Sequence, residues 1–197
     1  PVVYGTLTIL LIFFLGRKLF KSDLVGMLAA FCLAISPWHI QLTRGSFESS
    51  FATFWIVLGM WLLIKGFEKR IYLIWAMIPL AIAVYTYNTA RIFVPLFLIS
   101  TLVVYYKELI KFKKQILVAF ILFFVLMSPL IPFFLSGEGN ARLKLVSIVD
   151  DPGLIPRINE RRGNSKLPKP LPRLVHNKVT YVSFYYTRNY LAHFSPD

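Results

Sequence analysis

Arg44 and Glu48 stand four residues apart in the run Ser36-Pro37-Trp38-His39-Ile40-Gln41-Leu42-Thr43-Arg44-Gly45-Ser46-Phe47-Glu48. A carboxylate can take a proton from a hydroxyl, and a guanidinium can grip a phosphate through two parallel hydrogen bonds. A second run, Tyr85-Thr86-Tyr87-Asn88-Thr89-Ala90-Arg91, precedes Ile92-Phe93-Val94-Pro95 and supplies another guanidinium. As a cation at the N-terminal end of a helix, Arg91 opposes the helix dipole. An anionic partner resolves that conflict, whether Glu48, a lipid head group or a phosphate-bearing substrate.

Each of these residues also has a plainer reading. A glutamate in a first turn favours the helix dipole on its own, and an arginine four residues before it can be its ion-pair partner. His39 can be an interfacial histidine, and Tyr85 and Tyr87 can belong to an aromatic belt. Ser36 and Pro37 are expected to end one helix, and Ser46 to cap the next with Glu48 in its first turn. A start at Thr43 would instead put Arg44 and Glu48 on one helix face. Further on, His176-Asn177-Lys178 and Arg188-Asn189-Tyr190-Leu191-Ala192-His193-Phe194 add cations and imidazoles, which a basic loop over anionic lipid explains equally well. The chain has no phosphate-cradling glycine loop, paired metal-ligand histidines or nucleophile elbow. Its one cysteine, Cys32, lies in an apolar block and supports neither a disulfide nor a thiol site. No metal ligand set is complete, which leaves the question of a divalent metal open.

The elements that must position these groups are set by hydrophobicity. Of 197 residues 57% are apolar and 16% charged, against about 25% charged in a soluble domain. The apolar residues fall into six blocks: Pro1 to Leu15, Leu24 to Trp38, Phe47 to Ile64, Ile71 to Tyr87, Ile92 to Tyr106 and Ile116 to Leu135. At about 1.5 Å per residue the shorter ones need polar neighbours to complete a crossing of about 30 Å. The expected fold is all-α and polytopic, about six transmembrane helices in a bundle over residues 1–135. No signal peptide is visible in the sequence, and a chain opening on Pro1 reads as a fragment of a longer membrane protein.

The net charge of +13 raises nucleic acid as a partner, but the positions of the cations answer that. Arg17, Lys18, Lys21, Lys65, Lys69, Arg70, Lys107, Lys111, Lys113 and Lys114 follow the first, third and fifth blocks, whereas the other two turns hold Arg44 and Arg91. By the positive-inside rule the first group is cytoplasmic and the two polar runs are extracytoplasmic. Arg91 is thus on the side where that rule disfavours it. No nucleic-acid partner is expected; the partner is the bilayer of the cell membrane.

Residues 136–197 differ in kind. Pro152, Pro156, Pro168, Pro170 and Pro172 break any long helix, and the segment reads as an extracytoplasmic loop. From Leu174 to Phe194 aromatic and aliphatic residues alternate with basic ones, which predicts an interfacial helix.

Taken in order, the pattern resembles membrane glycosyltransferases of the GT-C superfamily, especially prokaryotic proteins similar to dolichyl-phosphate-mannose protein mannosyltransferases. The resemblance rests on Gly16-Arg17-Lys18-Leu19-Phe20, Ser36-Pro37-Trp38-His39 with Arg44-Gly45 and Glu48, Tyr85-Thr86-Tyr87-Asn88 with Arg91 and Pro95, and Asn189-Tyr190-Leu191 with His193-Phe194-Ser195-Pro196. It implies an enzyme whose outer face takes a sugar from a polyprenyl-phosphate donor and passes it, with inversion, to a hydroxyl on a protein, lipid or glycan acceptor. Such enzymes carry their best-marked acidic residue in the first outer loop, so the resemblance implies that the main catalytic base precedes this segment. Glu48 is then a second carboxylate, either base or orienting partner. Arg44, Arg91 and Lys178 line the donor phosphate region, and His39, Tyr85, Tyr87 and Asn88 shape the sugar or acceptor pocket.

Two other classes compete. A lipid-linked oligosaccharide flippase or transporter would place ionisable groups near the bilayer midplane, and these helix interiors are almost free of charge. A non-catalytic scaffold would use Arg44, Glu48 and Arg91 as a structural ion network, and would lose stability when Arg91 is neutralised.

Overall fold

The structure is a computed structural model and describes residues 2–45, 47–135, 147, 149, 151–165, 168, 170–192 and 194. Among the described residues every regular element is a helix. The chain divides into two compact units, Pro1–Ser128 and Pro129–Asp197.

The first unit opens with α1 (Val2–Phe20) and α2 (Asp23–Ala34), an antiparallel pair. Helix α1 stops because Lys21 takes φ 51°, the left-handed conformation that ends helices and suits glycine better than lysine. Ser22 opens α2, its Oγ accepting from the Val25 N–H at 3.4 Å, and Asp23 in the first turn pairs with Arg17 at 2.6 Å. The two helices meet backbone to backbone. A Cβ on Gly26 would lie 2.7 Å from the Phe13 carbonyl oxygen, and one on Gly16 would lie 3.3 Å from the Gly26 Cα.

Helix α3 (Pro37–Arg44) follows a 58° bend. Pro37 has no N–H to continue α2 but is well placed in the first turn of a new helix, so the block Leu24 to Trp38 is not one straight helix. Gly45 ends α3, and α4 (Glu48–Gly66) starts directly after Phe47, whose extended backbone precedes the first helical residue. Helices α1 and α4 run parallel: Tyr4 packs on Phe51 and Phe54 at ring-centroid distances of 4.2 and 5.1 Å, Phe14 lies 6.2 Å from Trp61, and Lys18 pairs with Glu68 beyond the last turn of α4.

The chain returns through α5 (Ile71–Trp75) and α6 (Met77–Thr86). These run antiparallel to α4, with Gly59 against Leu80 and Gly66 against Leu73. Helix α6 is the centre of the unit. Leu80 and Ala83 are completely buried, and Met77, Pro79, Ala81 and Val84 nearly so. Around it lie α7 (Ala90–Val104), α8 (Tyr106–Leu109) and α9 (Lys113–Met127), the last two joined by a 3-10 turn, Ile110–Phe112.

Among the described residues three helices are long and apolar enough to cross a membrane: Val2–Phe20, Glu48–Gly66 and Tyr106–Phe133. The bent α2–α3 pair makes a fourth if it is one span. The helical lengths alone therefore support fewer full crossings than the six expected. Ile71–Thr86 and Ala90–Val104 are apolar but shorter; the 15 residues of α7 reach only about 22 Å. Ile92, Leu96, Ile99 and Val103 of α7, and Leu117, Ile121 and Phe124 of α9, are exposed, as bilayer-facing side chains are.

In the second unit α10 (Ile131–Leu135) precedes α11 (Leu154–Gly163), α12 (Leu171–Val175) and α13 (Lys178–Ala192). Leu154 and Ile158 pack against Tyr181, flanked by Val182 and Tyr185. The predicted helix from Leu174 is corrected: α13 begins at Lys178. Asn177 resets the chain by donating Nδ2–H to the Leu174 carbonyl at 2.7 Å and accepting from the Thr180 N–H at 2.9 Å.

Candidate functional site

The register of the first unit gathers both polar runs at one end. Tyr4 against Phe51 puts the start of α1 beside the start of α4, and Gly59 against Leu80 puts the end of α6 at that same end. The ion pair of Lys18 with Glu68 marks the opposite, basic end. Three cations there lie over aromatic rings: Lys65 is 3.9 Å from the Trp61 ring centre, Arg70 4.5 Å from that of Phe112, and Lys107 5.9 Å from that of Tyr106. Hydrogen bonding from Lys18 holds the Glu68 carboxyl below its ordinary range.

At the polar-turn end, α3 is seated on α1. A Cβ on Gly5 would collide with the Thr43 methyl group, so only glycine lets α3 approach this closely. Thr43 is buried, and its hydroxyl bonds within α3 to the carbonyls of His39 and Ile40, at 2.8 and 3.0 Å. His39 Nε2 is 3.2 Å from the Gly5 carbonyl oxygen and donates to it in the Nε2–H tautomer. That bond fixes His39 between two helices at the edge of the site.

Arg44 is the last residue of α3 and Glu48 the first of α4, so they do not share one helix face. The alternative start at Thr43 is thereby excluded, and Phe47 rather than Ser46 immediately precedes the helix. Ser46 lies outside the described residues. Both Arg44 and Glu48 are exposed, and no ion pair joins them among the described residues. The plainer reading of Glu48 as the ion-pair partner of Arg44 fails on this geometry. Arg44 lines an open groove with Pro37, Ile40, Gln41, Gly45 and Phe47.

The second run forms the turn between α6 and α7. Tyr87 leaves α6 with an extended backbone, and its carbonyl accepts from the Ala90 N–H at 3.1 Å. Asn88 is half-buried, and its carbonyl accepts from the Arg91 N–H at 3.1 Å. Arg91, also half-buried, is the second residue of α7, where Pro95 four residues on has no N–H to offer the Arg91 carbonyl. Tyr85 is tied down differently: its hydroxyl donates to the Leu126 carbonyl of α9 at 2.6 Å.

Trp55 escaped the sequence reading. It lies seven residues, about two turns, below Glu48, within the Tyr4, Phe51 and Phe54 ring cluster, and its buried indole N–H has no partner among the described residues. The i, i+7 spacing from Glu48 was the available signal.

In the second unit Lys178 is exposed at the start of α13, where a cation again opposes the helix dipole. Arg161 lies 5.3 Å from the Tyr181 ring centre and donates to the Tyr185 hydroxyl at 3.1 Å. Hydrogen bonding from Tyr185 and then from Arg157 pulls the Tyr181 phenol below the usual tyrosine range. His193, Ser195 and Pro196 lie outside the described residues. Among the described residues no group of three or more His, Cys, Asp or Glu side chains could hold a metal ion.

A protein-family model described as dolichyl-phosphate-mannose-protein mannosyltransferase matches residues 1–133. No curated protein and no solved structure matches the chain.

Proposed function

Because the chain belongs to the dolichyl-phosphate-mannose-protein mannosyltransferase family, we propose that it transfers a sugar from a polyprenyl-phosphate donor to an acceptor hydroxyl on a protein, lipid or glycan. The observation that carries the reading is the gathering of Arg44, Glu48 and Arg91 at the end opposite the basic cluster. In this reading all six apolar blocks of residues 1–135 cross the cell membrane, the polar-turn end faces outward, and residues 136–197 form an extracytoplasmic segment.

The chemistry needs no nucleotide and no water. A carboxylate takes the acceptor's proton, the acceptor oxygen bonds to the anomeric carbon, and the bond from that carbon to the carrier phosphate breaks with its electron pair leaving on the phosphate. Glu48 is the carboxylate we assign to this end, accepting the proton or orienting the group that does. Arg44 and Arg91 offset the charge growing on the departing phosphate. His39, Tyr87 and Asn88 shape the sugar or acceptor pocket. The Tyr85 hydroxyl is already spent on Leu126, so Tyr85 contributes through its ring.

The test is release of polyprenyl phosphate from radiolabelled polyprenyl-phosphate mannose by membranes containing the protein. Activity that disappears in Arg91→Gln while the protein keeps its melting temperature supports the enzyme. Loss of folding with no transfer by the unchanged protein would make Arg91 part of a scaffold and sink the proposal.

A further inference from the structure

One apolar crevice in the first unit has no place in the transfer reaction. A crevice of about 330 Å³ opens among α4, α5, α6, α7 and α9, lined by Met77, Ile99, Ala119 and Phe123 among others. The hydroxyl of Thr101, which also lines it, donates to the Phe97 carbonyl at 2.8 Å and is spent. A space without hydrogen-bonding groups does not hold ordered water, so its natural occupant is a hydrocarbon chain.

The crevice continues outward. A second, more open groove shares Leu102, Leu109, Ile116 and Phe120 with it and is bounded by Lys113. In the same stretch of chain as Lys113, Lys107, Lys111 and Lys114 are also exposed, all within eight positions, with Glu108 as the one acidic residue among them. Arg70 joins them by lying over the Phe112 ring at 4.5 Å. An apolar slot with Lys113 at its mouth, in a stretch of chain rich in exposed lysines, is complementary to a molecule with a long hydrocarbon tail and an anionic head.

We propose that this groove seats one acyl chain of an anionic glycerophospholipid, with the head-group phosphate held at Lys113 and the neighbouring cations. The sugar donor is the wrong occupant, because its phosphate belongs with Arg44 and Arg91 at the opposite end. The choice of a structural lipid over the donor rests on that reading of Arg44 and Arg91, whereas the apolar lining and Lys113 at the mouth do not. The groove binds a lipid of the basic-end leaflet against the helices that position the reaction.

Native mass spectrometry tests this on protein released from nanodiscs containing equal amounts of phosphatidylglycerol and phosphatidylcholine with identical acyl chains. Phosphatidylglycerol should be retained preferentially. Replacing Lys113→Gln and Lys114→Gln together should lower that preference by about fivefold for each lysine removed. Ile99→Trp, at a position 56% exposed where the larger side chain fills the crevice without straining the core, should lower retention of both lipids. An unchanged melting temperature in these surface variants separates loss of the site from loss of the fold. Equal retention of the two lipids by the unchanged protein overturns the proposal, as does an Ile99→Trp variant that binds like the original. Displacement of phosphatidylglycerol by added polyprenyl phosphate overturns it too, and gives the groove to the donor.

Discussion

The Tyr85 hydroxyl donates to the Leu126 carbonyl at 2.6 Å, joining the last turn of α6 to the last turn of α9. Leu126 is among the final carbonyls of α9, which lack the full set of helical donors, and Pro129 two residues beyond that helix removes a further N–H. Ser128 answers the same need next door, its Oγ donating to the Val125 carbonyl at 2.8 Å. Tyr85→Phe should therefore lower stability by about 1 kcal/mol, in the range of a lost internal hydrogen bond. Transfer should stay within about threefold, since the phenol is committed to α9. Thermal unfolding in detergent, beside an initial-rate assay, reads both.

Glycine positions give a second expectation. A Cβ on Gly5 meets the Thr43 side chain, whereas one on Gly26 meets the Phe13 carbonyl 2.7 Å away, which is backbone and cannot swing aside. Gly26→Ala should cost about 1–3 kcal/mol through overpacking and open the α1–α2 pair without touching the site. Gly5→Ala should instead push α3 off α1 and lengthen the His39 contact, lowering transfer more than stability. Melting temperature against turnover for the two variants separates these effects.

The ion pair of Lys18 with Glu68 has a pH signature. Hydrogen bonding from Lys18 lowers the Glu68 pKa from its ordinary 4.5. The pair therefore stabilises the fold fully above that value and ceases to do so as pH falls through the lowered one. Because Glu68 is exposed, the effect is small. The melting temperatures of the protein and of Glu68→Gln should differ at neutral pH and converge as pH falls through the lowered value.

Tyr181 gives the second unit a signature of its own. Its phenol is lowered from 10.0 by Tyr185 first and Arg157 next, so the ionised form is favoured by folding. The resulting stability is complete above the ordinary value and is lost as pH falls through the lowered one. Ultraviolet titration should show one tyrosine ionising ahead of the others, and Arg157→Gln should return it toward the rest. An unshifted titration in the original protein would refute the contact.

The helices were legible because apolar blocks bounded by charges leave little choice within a bilayer, and Pro37 marked the bend after α2. The division of Ile71–Thr86 at Trp75 and Ala76 had a marker inside an otherwise continuous apolar block, because Pro79 has no N–H to offer the Trp75 carbonyl four residues earlier. Helix α11 was hidden by Pro156, which reads as a breaker. It sits in the first turn, where its missing N–H has no helical partner to lose. The polar runs stood out as candidate site residues from their types alone. What sequence could not supply was which hydroxyls and rings were already committed, as Tyr85 and His39 are, because those partners lie 41 and 34 residues away.

Arg91 and Arg44 provide the sharpest test of the proposed reaction. If both offset charge on the departing phosphate, removing either cation costs more in the transition state than in donor binding. Arg91→Gln and Arg44→Gln should each lower kcat by about 100-fold or more, in the range of a lost oxyanion donor, with a smaller rise in KM. Lysine at either position keeps the charge but loses the two-pronged grip, and should recover only part of the rate. Glu48→Gln keeps the shape and removes the charge. If Glu48 is the base, its loss should abolish the dependence of rate on carboxylate ionisation. If it orients another group, that dependence should persist at a lower rate. Arginine variants that bind donor weakly yet turn it over at the original kcat would show ground-state grip alone, and would remove the electrostatic role assigned to this end of the molecule.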